Sequence, residues 1–178
     1  MYAVHRLDRA AAGVLLFALS PEMATVLIEA FASRQIQKEY GVVVRGLAPE
    51  SGVEDSPLRD PDTGEEQAAV TEYRRLGVLH AGTEPDGRPR VYSLLAVFPH
   101  TGRTHQIRRH MKRIGHPVIG DTRHGHGEHN RFFREQYGVR RLLLFARRVT
   151  LDHPRTGAPL TIEAPYPDDW QSVIARFL

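Results

Sequence analysis

Two apolar segments, Leu76–Leu79 and Val91–Phe98, are separated by Thr83–Pro89, which carries Pro85-Asp86-Gly87. Proline pre-sets one corner of a turn and glycine takes a left-handed one, so the stretch predicts a β-hairpin. That commits the chain to a sheet, and the flanking sequence extends it. Ala69–Leu76 alternates and predicts the strand that leads into the hairpin. Glu39–Val44, Leu142–Leu151 and Pro159–Glu163 read as further strands. Val14–Leu19, six apolar residues, is too short and too apolar for a surface helix and reads as a buried strand. Helices are fewer. Ser20-Pro21-Glu22 offers an N-cap, a proline at the first helical position and an early acid. The helix that follows buries Met23, Leu27 and Phe31 and ends near Arg34. Arg103–Ile114 predicts a second helix, entered tightly at Gly102 and closed by Gly115. Asp168 caps a short C-terminal one. Gly46–Gly52 reads as a turn, Asp55–Gln67 as a surface loop, and the His- and Gly-rich Arg123–Arg134 as another loop. The expectation is one α+β domain over residues 1–178, with a mixed, mainly antiparallel sheet flanked by helices.

With 178 residues, 41% of them apolar, the chain can bury a core without a staple. Cysteine is absent, which excludes a disulfide scaffold, a thiolate zinc finger, an iron–sulfur cluster and a cysteine nucleophile. The longest apolar run is the six-residue Val14–Leu19, against roughly 20 for a membrane helix and at least about 7 for a signal peptide core. The expectation is a soluble, cytoplasmic protein with no membrane partner.

The net charge of +3 hides an asymmetry. Residues 101–155 hold 13 Lys+Arg, twelve of them Arg, against Asp121, Glu128, Glu135 and Asp152, so this segment is +9 and the rest is −6. Seven of the ten histidines lie between His100 and His129. Guanidinium pairs bidentately with phosphate, so concentrated arginine points to a polyanion. A merely solvated basic face is the competing reading.

Three constellations carry candidate chemistry. Asp8 lies between Arg6 and Arg9, before the glycine-containing turn Ala10–Gly13 into an apolar run. A carboxylate at the mouth of a buried strand is a candidate nucleophile or base. Taken alone, a surface Asp–Arg pair is the commoner explanation. In Thr101–Arg113, Ile107, Met111 and Ile114 form an apolar stripe at helical spacing. Arg108 flanks that stripe and is placed to be half-buried against a carboxylate, whereas Arg109 and Arg113 face water and are placed to meet phosphates. His116, Asp121, His124, His126, Glu128 and His129 are all metal-ligand types, but no helical His-x-x-x-His pair occurs among them. A polar loop facing nucleic acid is the preferred reading over a metal site. Phosphate-loop, dinucleotide and nucleophile-elbow motifs are absent.

Taken together the motifs are more specific. His5-Arg6-Leu7-Asp8 followed by Gly13-Val-Leu-Leu-Phe-Ala18, then Lys38-Glu39-Tyr40, Ala69-Val-Thr-Glu-Tyr73, Pro99-His-Thr-Gly-Arg-Thr-His-Gln-Ile-Arg108, Gly115-His-Pro-Val-Ile-Gly-Asp121 and Leu144-Phe-Ala146 resemble the successive motifs of the RluA-type pseudouridine synthases. Gln35-Ile-Gln-Lys38 and the stretch Gly120–Phe133 are most similar to the branch of that family acting on uridine 65 of tRNA. The resemblance implies an isomerase that works on RNA, tRNA before rRNA, as a monomer, with no metal, cofactor or obligate protein partner. It implies Asp8 as the catalytic carboxylate, Arg108 as its partner, and Tyr40 as the ring that stacks on the target base and relays a proton. Arg6 would fill the gap left by the flipped base and Leu144 would wall the pocket. His5, Arg103, His105 and Gln106, inside the motifs, would bind substrate together with Arg109 and Arg113. Whether Asp8 attacks the ribose, adds to the base or removes a ribose proton stays open.

The sequence departs from the family in two places. Ala11-Ala12 stands where Thr-Ser is usual, which removes hydroxyls that could order the loop behind Asp8. The family also carries a segment before the His-Arg-Leu-Asp motif, so the sequence reads as N-terminally short. Two further readings follow: an RNA-binding module weakened in catalysis by that shortness, and a metal-dependent hydrolase using the histidine cluster.

Overall fold

The computed structural model describes all 178 residues. Its elements are β1 (Tyr2–Ala3), β2 (Ala12–Gly13), β3 (Phe17–Ala18), α1 (Pro21–Ala32), β4 (Gln37–Arg45), β5 (Ser51–Glu54), β6 (Leu58–Arg59), β7 (Glu66–Gln67), β8 (Thr71–Thr83), β9 (Pro89–Pro99), α2 (Gln106–Arg113), α3 (Gly127–Tyr137), β10 (Leu144–Asp152), β11 (Pro159–Glu163) and α4 (Asp168–Ile174). The main sheet runs β11-β10-β4-β9-β8-β5, antiparallel throughout, and β2 adds a short parallel pair to β10. The α+β class and the mixed, mainly antiparallel sheet are as the sequence predicts. The hairpin is β8–β9, one long ladder with irregularities after Arg75 and His80.

Both faces of the sheet centre are covered, which is why its strands read as continuous apolar runs. Val42, Val44, Leu95, Val97, Leu142 and Leu144 point to one face and pack under Ile107 and Met111 of α2. Their neighbours Val43, Leu94, Leu143 and Phe145 point to the other, under Phe133 of α3 and Trp170 and Val173 of α4. A third apolar group joins Ala24 and Leu27 of α1 to Val149 and Leu151. Helix α1 starts as predicted, with the Ser20 hydroxyl accepting from Met23 N–H at 3.2 Å. Met23 and Phe31 are only half-buried.

Several expectations are corrected. Val14–Leu19 is no regular buried strand: only Phe17–Ala18 pairs, with Tyr2–Ala3, and Leu15, Phe17 and Leu19 are exposed. Val14, Leu16 and Ala18 turn into the third apolar group, and the residues between them have no covering layer. Arg123–Arg134 is not all loop, because α3 begins at Gly127. Its glycines and histidines mask a helical period in which His129, Phe132, Phe133 and Tyr137 share a face. The Asp55–Gln67 loop holds the small β6–β7 hairpin, with Leu58 buried, and the predicted Gly46–Gly52 turn runs into edge strand β5. The entry to α2 is made by His105 in the left-handed region, at φ 53°, and not by Gly102.

No helix is long and apolar enough to cross a membrane.

Candidate active site

Asp8 is held at the start of the loop that leads into β2. Ala11 N–H closes a turn on the Asp8 carbonyl at 2.8 Å, and Val14 N–H bonds the Ala146 carbonyl at 2.9 Å. Ala12 and Gly13 pair in parallel with Phe145 and Ala146. Backbone bonds therefore order this loop without the hydroxyls that Ala11 and Ala12 lack. Gly13 has φ 118°, and a Cβ there would lie 2.2 Å from the Ala146 oxygen, so both conformation and space require glycine. This close approach seats the Asp8 loop against the strand that carries Leu144.

Arg108, on the buried flank of α2, reaches Asp8 across the chain: Nη1 donates to Asp8 Oδ2 at 3.1 Å. The sequence-predicted pair is thus present. The same guanidinium gives Nε and Nη2 to Asp121 Oδ2 and Oδ1 at 2.7 and 2.9 Å, a bidentate fork. Asp121, which lies in the sequence among residues of metal-ligand type, is the second carboxylate of an Asp8–Arg108–Asp121 chain. Arg123 and His124 N–H groups add bonds to Asp121 Oδ1, both at 2.9 Å. Burial pushes the Asp121 carboxyl upward, but the Arg108 bonds and these two N–H groups outweigh it and hold it below the ordinary range. The Arg108 guanidinium is shifted upward, chiefly by its bonds to Asp121. The missed partner had a weak signal: Gly120-Asp121 closes a motif 13 residues after Arg108.

Beside Asp8 opens a cleft of about 420 Å³ lined by residues that include His5, Arg6, Tyr40, Arg103 and Leu144. Tyr40 on β4 and Leu144 on β10 reach it from adjacent strands, with Tyr40 opposite Ala146 and Leu144 opposite Val42. Burial, then the Asp8 charge, pushes the Tyr40 phenol up to about 12, so it stays protonated. His5 stacks on Phe31 with ring centroids 4.6 Å apart and accepts from Leu16 N–H at 3.0 Å. Burial and the Lys38 charge lower its pKa. Arg6 is exposed at the rim. Lys38, beside Tyr40 in the sequence, also lines the cleft; its ammonium donates to the Thr101 carbonyl at 3.0 Å, and burial lowers its pKa to about 8.

Gln106 borders the cleft but is spent on structure: it accepts from Arg103 N–H and donates to the Val70 carbonyl and the Thr71 hydroxyl. Arg103 donates Nε to the Ala68 carbonyl. Arg109 and His105 lie outside the cleft, against a second hollow. Arg113 lies elsewhere, 3.9 Å from Glu54. The histidines do not gather. His105 pairs with His124 at 3.0 Å, His129 bonds the Tyr92 hydroxyl at 2.9 Å, and His110 sits between Thr71 and the Ser56 carbonyl. No three His, Asp or Glu converge as a metal cage would require.

Comparison with known proteins gives a consistent pattern. The family model for RNA pseudouridylate synthase matches residues 1–113. The chain is 44% identical over 192 residues to tRNA pseudouridine synthase C of Pectobacterium carotovorum subsp. carotovorum, covering 99% of this chain and 50% of that protein. It is 40% identical to tRNA pseudouridine synthase C of Vibrio cholerae, covering 99% and 77%. Thus the chain spans half the length of one relative and about three-quarters of the other. The fold is similar to that of human RNA pseudouridylate synthase domain containing 4, with a TM-score of 0.77 at 24% identity over 98% of this chain and 75% of that one.

Proposed function

Because the chain belongs to the RNA pseudouridylate synthase family, we propose that its residues 1–178 act as one catalytic domain, isomerising a uridine of tRNA to pseudouridine with Asp8 as the reacting carboxylate. The observation that carries this reading is the Asp8 carboxylate at the wall of a cleft, tied by Arg108 to the buried Asp121. In the reaction the bond from ribose C1′ to N1 breaks, the base turns, and C1′ joins C5. C5 then loses its proton and N1 gains one. No electron is gained or lost, so no redox partner is needed.

The base must leave its stack, at a cost of roughly a few kcal/mol. Arg6 at the rim fills the gap, Tyr40 stacks on the turned base, and Leu144 walls the far side. The raised phenol pKa keeps Tyr40 protonated, so it can pass on the C5 proton only in a concerted relay, giving up its own proton as it takes one. Arg108 keeps Asp8 in one rotamer. His5 and Arg103 shape the mouth of the cleft. The tRNA substrate follows the two bacterial relatives, and the basic stretch 101–155 supports a polyanion. The branch resemblance makes uridine 65 the target. The protein acts as a monomer in the cytoplasm.

The test is incubation of the purified protein with unmodified tRNA transcript, followed by mapping of pseudouridine. Conversion at one uridine, abolished in Asp8→Asn, is the expected result. Conversion of rRNA but not tRNA would move the substrate, and no conversion of either would sink the reading.

A further inference from the structure

The second hollow, about 360 Å³, lies beside the first and holds His105 and Arg109, two of the expected substrate-binding residues that the first cleft leaves out. Its lining includes Arg59 of the β6–β7 hairpin, Arg109 of α2, Arg123, and the paired rings of His105 and His124. None of the three arginines has a carboxylate within 4.0 Å, in contrast to Arg113, Arg147 and Arg148, which do. The single acid of the lining, Asp60, is engaged by its own hairpin: Oδ1 accepts from Asp62 and Thr63 N–H, and Oδ2 from Gln67. Three guanidiniums without a carboxylate partner thus surround one internally bonded carboxylate, Arg109 Nη1 donating only to the Thr104 carbonyl at 3.4 Å.

The histidine pair adds a donor. His105 Nδ1 and His124 Nε2 are 3.0 Å apart, so one donates to the other. In either tautomer of the neutral pair, one outer ring nitrogen still bears a hydrogen with no protein acceptor. Burial lowers the pKa of both rings, so the pair rests neutral and offers a hydrogen bond without a further fixed charge. Helix α2 begins here with no side chain capping its first turn.

We propose that this hollow is a phosphodiester subsite, holding the RNA backbone of a nucleotide next to the target uridine through Arg59, Arg109, Arg123 and the His105–His124 pair. This rests on the isomerase reading for the identity of the strand. Thr104 lines both hollows, so a strand whose base enters the first passes its backbone over the second. Arginine forks match phosphate oxygens bidentately, and a helix N-terminus favours an anion. The subsite is also wired to the first cleft. Arg123 and His124, which line the hollow, are the residues whose N–H groups hold Asp121, which holds Arg108 and through it Asp8.

The experiment measures binding and conversion on the same tRNA transcript. The variants are Arg59→Gln with Arg123→Gln, and the same positions changed to Lys, each checked by thermal melting. The Gln pair should bind about tenfold more weakly, the size of a lost charge-assisted bond. Its log–log salt slope should flatten by roughly one phosphate's worth, about 0.9. The Lys pair should restore the slope. A scan of single neutral methylphosphonate linkages in a stem-loop copied from that tRNA should reveal one that weakens wild-type binding but not the Gln pair. An unchanged slope in the Gln pair, or linkage costs that simply add to the substitutions, overturns the subsite. If wild type binds tRNA yet forms no pseudouridine, the isomerase reading fails, and the binding arm still decides the subsite. Wild type that binds no tRNA overturns both.

Discussion

Asp8 and Asp121 are bound to one guanidinium, Asp8 through Arg108 Nη1 and Asp121 through Nε and Nη2. Two carboxylates on one cation leave the group net negative. Only Oδ2 of Asp8 is used, so Oδ1 is bound to no protein group. The arrangement therefore fixes an anion while leaving half of it available.

Asp8→Asn keeps size and removes the anion. Pseudouridine formation should vanish while tRNA affinity stays within about threefold, because phosphate contacts dominate affinity. Arg108→Ala should differ, because it strands Asp121 with a wholly buried side chain. A cost of roughly 3–5 kcal/mol is expected for breaking such a pair. Tritium release from uridine-labelled tRNA reads the activity and urea melts read the stability. Turnover in Asp8→Asn would remove that residue from the chemistry.

Asp121 predicts an acid limb. Its folded carboxyl titrates below the ordinary carboxylate range, so as pH falls the unfolded chain takes up the proton first. The stability it contributes is complete above about pH 4 and is lost as pH falls through the folded value. Asp121→Asn should be less stable at neutral pH, and its curve should converge on wild type in acid. Parallel curves down to acid pH would show that the Asp121 charge contributes nothing.

The first half of this chain of bonds was legible in the sequence and the second was not. Arg108 could be placed on the buried flank of α2 because the Ile107–Met111 stripe fixes helix phase, and a buried arginine wants a carboxylate. Which carboxylate is a question of tertiary approach, and Asp121 sat among histidines that looked like ligands. The hairpin and α1 were readable because turn and cap chemistry are local. Helix α3 was not, because it lacks a capping side chain and its stripe mixes histidine with aromatics. Val14–Leu19 misled because an apolar run does not say whether a second layer will cover it.

Tyr40→Phe retains the ring and removes the hydroxyl. If the phenol relays the proton, kcat should fall by about 10²–10⁴ with KM little changed. A loss confined to KM would leave Tyr40 a stacking ring only.

Gly13→Ala places a methyl against the Ala146 carbonyl at a φ that alanine rarely adopts. A loss of about 1–3 kcal/mol is expected from the backbone strain alone, with activity falling further as the Asp8 loop lifts from β10. Ala12→Gly, one residue away, is the control: it keeps the pairing and should retain most activity. Wild-type melting and activity in Gly13→Ala would show that the β2–β10 joint does not seat Asp8.

Strand β10 carries Leu144, lies against the strand that carries Tyr40, and receives the loop that carries Asp8. Three walls of the cleft thus share one ruler. Arg108 holds the Asp8 carboxylate, but the loop behind it is seated only when Ala12–Gly13 meet Phe145–Ala146, a partner far along the chain. The joint spans most of the sequence, and its loop-closure entropy makes it a late event in folding. The Asp8 loop is therefore seated only as the central sheet is completed, and a partly folded chain lacks the wall that its cleft shares.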